Sequence, residues 1–503
     1  VGGTSGVGDI DITGALDLDA AISNASSVAV SLTSNIGADV TTTGTQGYSG
    51  TTTLSGGDRT LEGSTITMAA VTGTGSHDLT VTGNLDLDGA VTNVVELDIT
   101  GTSNIGANVT TSGTQNYQGT TTLSGGDRTL QGSTITLAAV TGGSNALTVT
   151  GNLVLDGAIS GVTNMSVSGT SNIGADVTTT GTQSYTGTTT VSASSTLIGT
   201  EISTAAIVLN HDLEIRNSSD STLASVISGT GALTKSGSGV LTLRGINTFD
   251  GDLTVSAGTL YAGLAADSGN QVIENNVTVS GGTLSGGATI GGNVTVATAN
   301  LAPGNSIGTL TIDGNVTLGD NSTTTIEFND TTSDKVVVSG NITLAGALVL
   351  EPANTTYSDA TFTIFDGSGG SGNSLSSTFA STTVSNSSYL GDATTSISYD
   401  TVNRKVFLNI DEDGGVSSNT VKSLTTRNKF KDIAQIFDDA TAGKILEVAN
   451  VLKSSDSNSV NTELNKTKGT LLANSSLKSV SNHQFYQKAL DNIVSTNTNS
   501  SVS

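Results

Sequence analysis

Cysteine and tryptophan are absent from the 503 residues, proline occurs twice, and aromatic side chains make up only 3%. Without cysteine there are no disulfides and no thiolate metal sites, so stability has to come from packing and backbone pairing. Charged residues are also scarce, at 12%, against roughly a quarter in ordinary domains. They are lopsided as well, 43 acidic against 18 basic, for a net charge of -25. Nucleic-acid affinity rests on cations meeting phosphates, so this excess excludes nucleic acid and disfavours acidic or membrane-phosphate partners. No apolar run reaches the length of about 18 residues that a spanning helix needs, and the opening VGGTSGVGDI lacks a basic n-region with an apolar stretch. No direct membrane insertion is expected, and an exported chain would have lost its signal.

What is present is glycine, 63 residues of it, and repetition. The string SNIGA starts at Ser34, Ser103 and Ser171, and Tyr48, Tyr117 and Tyr185 follow in the same register. GGDRTL at Gly56 and Gly125 becomes SASSTL in the third copy; GALDLDAAI at Gly14, GNLDLDGAV at Gly83 and GNLVLDGAI at Gly151 extend the unit upstream. Residues 1–225 therefore read as about three copies of a unit of about 69 residues. Within it, short alternating runs such as TTTL, STITL and LTVTG are cut by Gly, Asn and Asp, the mark of strands with one face inward. Dividing the unit into three turns of about 23 residues, each with three short strands, predicts an all-β fold, a right-handed parallel β-helix. Stacked coils satisfy their backbone groups without helices, and a narrow interior takes Val, Ile, Leu and Ala but few rings. The N-terminal coil is expected to need a cover, supplied by another protomer or by a loop.

From residue 226 to 417 strand and turn continue in a different pattern. After that the composition shifts: 10 of the 18 basic residues and seven acidic ones fall in 418–503. Phe430, Ile433, Ala434, Phe437, Ile445, Leu446, Ala449 and Leu452 recur every three or four residues, as do Phe485, Ala489, Leu490 and Ile493, which predicts a short C-terminal α-helical segment.

The stretch GTGALTKSGSGVLTLRGINTFDGDLTVSAGTL at 229–260 resembles the passenger-associated repeat of autotransporters, the type V secretion proteins of Gram-negative bacteria. APGNSIGTLTIDGNVTL from Ala302, SDKVVVSGNITLAGALVL from Ser333 and YDTVNRKVFLNI from Tyr399 are similar to the closing part of such passengers, and the helical stretches to those ahead of the translocating barrel. The resemblance covers about residues 227–494. It implies export, an outer-membrane β-barrel translocator as partner during that export, and display at the cell surface, anchored at the outer membrane or released. The family's barrel is not in this sequence.

Candidate sites are few. Gly304-Asn305-Ser306-Ile307-Gly308 has the G-x-S-x-G spacing of an esterase elbow, but TLTIDGNVTL after it predicts a strand where the elbow needs a helix. His77, His211 and His483 read as solvated side chains, since Asn145 replaces His77 in the next copy. Asp17 with Asp19, and Asp86 with Asp88, place paired carboxylates at i, i+2, candidates for calcium. Val154 breaks the pattern in the third copy, and solvation is the favoured reading. Asn35, Asn104 and Asn172 are expected to cap turns, Lys235 and Arg244 to point outward or contact turns. With no catalytic constellation and no cofactor indicated, the expectation is a non-enzymatic surface protein acting in adhesion or self-association. Its partners are then neighbouring copies or host and cell-surface ligands. The alternatives are a self-assembling surface-layer or fibre subunit and, behind it, a polysaccharide-degrading enzyme, which would need more than 3% aromatics to stack sugars.

Overall fold

The computed structural model describes residues 7–412, apart from 75, 264–270, 371 and 392; the expected helical segment at 418–503 lies outside the described residues. Contacts divide the chain into two units. The first holds 1–355, 361–389 and 397–408, and the second 356–360, 390–396 and 409–503. In the second unit the Glu412 N–H donates to Asp359 at 2.9 Å.

The first unit is a parallel β-solenoid. Up to residue 243 each strand pairs in parallel with one 18 to 21 residues further on, as Leu16 does with Ser34, Val40 with Leu61 and Leu233 with Leu253. Later rungs are wider: Leu253 pairs with Val277 and Ile342 with Leu375. Strands such as Ser34–Ile36, Val109–Thr111 and Thr189–Val191 are three residues long with their first and last side chains buried. That alternation is the period of an extended chain lying with one side on a core.

The ladders form three columns. One runs Val30, Tyr48, Met68, Leu87, Ile105, Leu123. A second runs Leu61, Val81, Ile99, Tyr117, Leu137, Leu155, Ile173, Val191, Leu209, every one with no exposure. A third runs Leu130, Val149, Val167, Tyr185. Each fully buried aliphatic side chain contributes about 1.5–3 kcal/mol, an upper bound because the unfolded chain already hides some of it.

The expected turn of 23 residues is therefore corrected to 18–21. The repeat was divided by three on the premise that a copy closes whole turns, and it does not. Eleven strand segments separate Ser34 from Ser103, and another eleven separate Ser103 from Ser171. Eleven is not a multiple of three, so each copy starts one face round from the last. Tyr48, Tyr117 and Tyr185 consequently stand on three different faces.

Local surroundings travel with them. The Tyr48 hydroxyl donates to Gln46 Oε1 at 2.9 Å, and Gln46 Nε2 donates to the carbonyls of Val40 (3.1 Å) and Glu62 (2.7 Å). Tyr117 with Gln115 and Tyr185 with Gln183 repeat the arrangement at 2.9 and 3.0 Å. These buried glutamines satisfy corner carbonyls that the ladder leaves over. Burial pushes all three phenols above the usual tyrosine range.

Corners carry side-chain ladders of their own. Asn152 Oδ1 accepts both the N–H (2.9 Å) and the hydroxyl (3.0 Å) of Thr170. Further along, Asn276, Asn293, Asn315 and Asn341 each accept the next corner's N–H at 2.7–3.0 Å.

Candidate functional site

The outward row of the repeat separates the copies. Asp17 lies in the strand Leu16–Leu18 and its Oδ1 accepts Asn35 Nδ2 at 2.7 Å; Asp86 accepts Asn104 at the same distance. Asp19 and Asp88 lie beyond the ends of those strands and are exposed. Among the described residues no three His, Asp or Glu side chains converge to hold a metal ion. Asn35, Asn104 and Asn172 occupy strand centres, not turns as expected, because the SNI triplet is itself the strand.

In the third copy Val154 pairs with Asn172 where an aspartate stands in the others. Asn172 Oδ1 is left buried with no hydrogen-bond partner. It lines a groove of about 510 Å3 along the outside of the Tyr117 face, with Asn152, Val154, Thr170, Thr190 and Ser192 among its walls. None of its lining residues is ionisable. Repetition hid this feature: the one-residue departure from Asp to Val was visible, its consequence on the rung above was not.

Lys235 is corrected most. It is fully buried, stacked between Ile215 and Val255, with Nζ donating to the carbonyls of Ser236 (2.5 Å), Gly237 (2.9 Å) and Ala257 (3.3 Å). Burial lowers its pKa to about 8. The turn carbonyls hold the charge inside, so an outward orientation was never required.

A second buried ionisable group is Asp334. Its two oxygens accept the N–H groups of Gly308 and Glu327, both at 2.8 Å. Burial raises its pKa to about 7 against the pull of those donors, and the charges of Glu327 and Glu351 push the same way. Glu327 and Glu351 pair directly across adjacent strands, and burial followed by Glu351 raises Glu327 too. The adjacent cation, Lys335, is engaged with Asp366 at 2.9 Å. A folded pKa above the unfolded one gives stability that is complete below the unfolded value and lost as pH rises through about 7. Glu351→Gln removes one like charge. It is expected to raise local stability by about 0.5–1 kcal/mol at pH 8 and by nothing measurable at pH 4. Hydrogen exchange across 323–336 at the two pH values checks it, and an equal effect at both would contradict it.

The strand Thr309–Ile312 follows Gly304–Gly308, so the Ser306 segment is a turn between rungs without the helix that an elbow requires. His211 is exposed and His77 half-buried; His483 lies outside the described residues. No helix among the described residues is long and apolar enough to cross a membrane.

Parallel rungs, a polar exterior and a buried lysine at the change of repeat define a solenoid of the passenger type. Residues 233–262, which contain Lys235, match the passenger-associated transport repeat. Over 271 residues, 46% of this chain, the sequence is 30% identical to the adhesin BmaC autotransporter of Brucella suis, of which the match spans 8%. Over 84 residues, 17% of this chain, it is 46% identical to an extracellular serine protease of Serratia marcescens, again spanning 8% of that protein. The repeat and these relatives support an autotransporter passenger domain, and such passengers are secreted or cell-surface proteins of Gram-negative bacteria. A surface, adhesin-like role fits both the solenoid and the longer match.

Proposed function

We propose that the chain is the binding shaft of a non-enzymatic adhesin, exported with the help of an outer-membrane barrel and attaching the cell to a surface ligand. The observation that carries this is the 271-residue similarity to an adhesin autotransporter, laid on a solenoid with a polar flank. Adhesion is favoured over self-assembly by charge. A net charge of -25 makes like chains repel at low ionic strength, an effect that screening removes only above about 0.1 M salt. Beads coated with the purified chain are expected to bind cultured cells saturably, with soluble chain competing. Binding no greater than to albumin-coated beads would overturn adhesion. Casein hydrolysis blocked by a serine-directed inhibitor would instead favour a protease, as the shorter match allows.

A further inference from the structure

We propose that the groove beside Asn172 is a binding site for a neutral glycan, a segment of uncharged sugar residues lying along the rungs of the Tyr117 face. The inference rests on the adhesin reading and names the ligand class for it.

Comparison between copies isolates what makes the site. Asn84, Thr102, Asn104, Thr122 and Ser124 of the second copy stand where Asn152, Thr170, Asn172, Thr190 and Ser192 stand in the third. The difference lies one rung below the asparagine. Asp86 engages the Asn104 amide at 2.7 Å, whereas Val154 offers nothing to Asn172, whose Oδ1 is buried and unpartnered. An amide oxygen withdrawn from water without a donor costs about 1–3 kcal/mol, which a ligand hydroxyl donating to it would recover.

The chemistry of the walls selects the ligand. On a chain carrying 43 carboxylates, this groove of about 510 Å3 is lined by threonine, serine, asparagine, leucine and valine alone. It repels no neutral molecule and offers no cation to an anion, so sialylated or sulfated chains gain nothing there. Hydroxyl and amide groups that both donate and accept match sugar hydroxyls, while Val154 and the threonine methyls meet the apolar C–H faces. The volume falls within the usual range for ligand sites. A polypeptide is the poorer occupant. It binds a sheet by adding to a free edge, and the strands here, at 153–155, 171–173 and 189–191, are each paired on both sides. An extended glycan needs no backbone partner, and rungs about 4.8 Å apart offer it a repeating row of polar groups.

The test uses the full chain on an array of neutral glucose, mannose, galactose and N-acetylglucosamine oligomers, with sialylated and sulfated glycans and unstructured peptides alongside. Neutral oligomers are expected to be retained. Val154→Asp, which installs the pairing already present in the first two copies, is expected to weaken retention at least tenfold with an unchanged melting temperature. Thr190→Val, isosteric and lacking the hydroxyl, provides a second variant with the same expected direction. No retained neutral oligomer, retention of peptides or anionic glycans alone, or equal retention by both variants would each overturn the site. Beads carrying Val154→Asp separate this from the wider reading: if they bind cells as well as the unaltered chain does, adhesion stands and the groove is not its site. If unaltered beads bind no cells, adhesion itself fails whatever the array shows.

Discussion

Gly83→Ala is expected to cost more than about 3 kcal/mol of local stability, while Gly14→Ala, the same position one copy earlier, costs almost nothing. Gly83 holds φ at 134°, and a β-carbon there would lie 1.8 Å from the Gly63 carbonyl oxygen. Gly151, its counterpart in the third copy, has φ 136° and would meet Gly132 O at 1.9 Å. Both collisions are with backbone, which cannot move aside without breaking rungs, and the dihedral is strained for any L side chain. Gly14 has no positive φ and nothing within 4 Å. Since solenoid stability is a sum of rungs and their nearest-neighbour contacts, the damage should stay local. Hydrogen exchange should speed up across Arg59–Gly73 and Leu79–Leu87 in Gly83→Ala and be unaltered in Gly14→Ala. Equal protection in the two variants would show that the close approach between rungs does not exist.

The strands and their parallel stacking were legible because inward and outward residues alternate without exception through runs such as LTVTGNLDL, and because glycine and asparagine recur at the corners. Turn length was not. A period of 69 residues constrains only the product of strand segments and corner lengths, and three wide turns fit it as well as eleven faces of a narrower coil. Position inside a turn was readable even for Lys235: Leu233 is inward, and a strand puts residue i+2 on the same side. The expectation failed because lysine's usual aversion to burial was allowed to outweigh the alternation. The groove lay beyond sequence reasoning for a different reason. It depends on which residues meet across rungs 18 apart, and that register became known only with the corner lengths.

Rotation by one face per copy also bears on how the flank can work. A ligand that recognised residues common to all three copies would find them pointing three ways, so a single flat surface could not engage them together. Repetition therefore contributes little avidity against one plane, because linked sites add only when geometry allows simultaneous contact. Binding is better served by a feature that one copy alone possesses. Val154 supplies such a feature, since its substitution for aspartate acts on one face only.

Lys235 gives the second large effect, and its direction depends on pH. The folded pKa of about 8 lies below the ordinary 10.5 because burial disfavours the charge. Between these values the unfolded chain binds the extra proton, so stability rises with pH at up to about 1.4 kcal/mol per unit. The cost of burying the charge is fully present below pH 8 and gone above the unfolded value. Against it stand three carbonyls that lose their donor if the amine is removed, each worth about 1–3 kcal/mol when left dry. Lys235→Met keeps the stem and removes the donor, so at pH 7 it is expected to destabilise the rung by about 2 kcal/mol. Lys235→Ala adds a cavity and is expected to cost about 2 kcal/mol more. Hydrogen exchange across Leu233–Ser236 and Val240–Leu243 measures both, and the unaltered chain should gain protection over Lys235→Met as pH rises from 8 towards 10. A difference that stays flat over that range would mean that the amine keeps its solvent pKa, and the buried contact with Ser236, Gly237 and Ala257 would have to be given up.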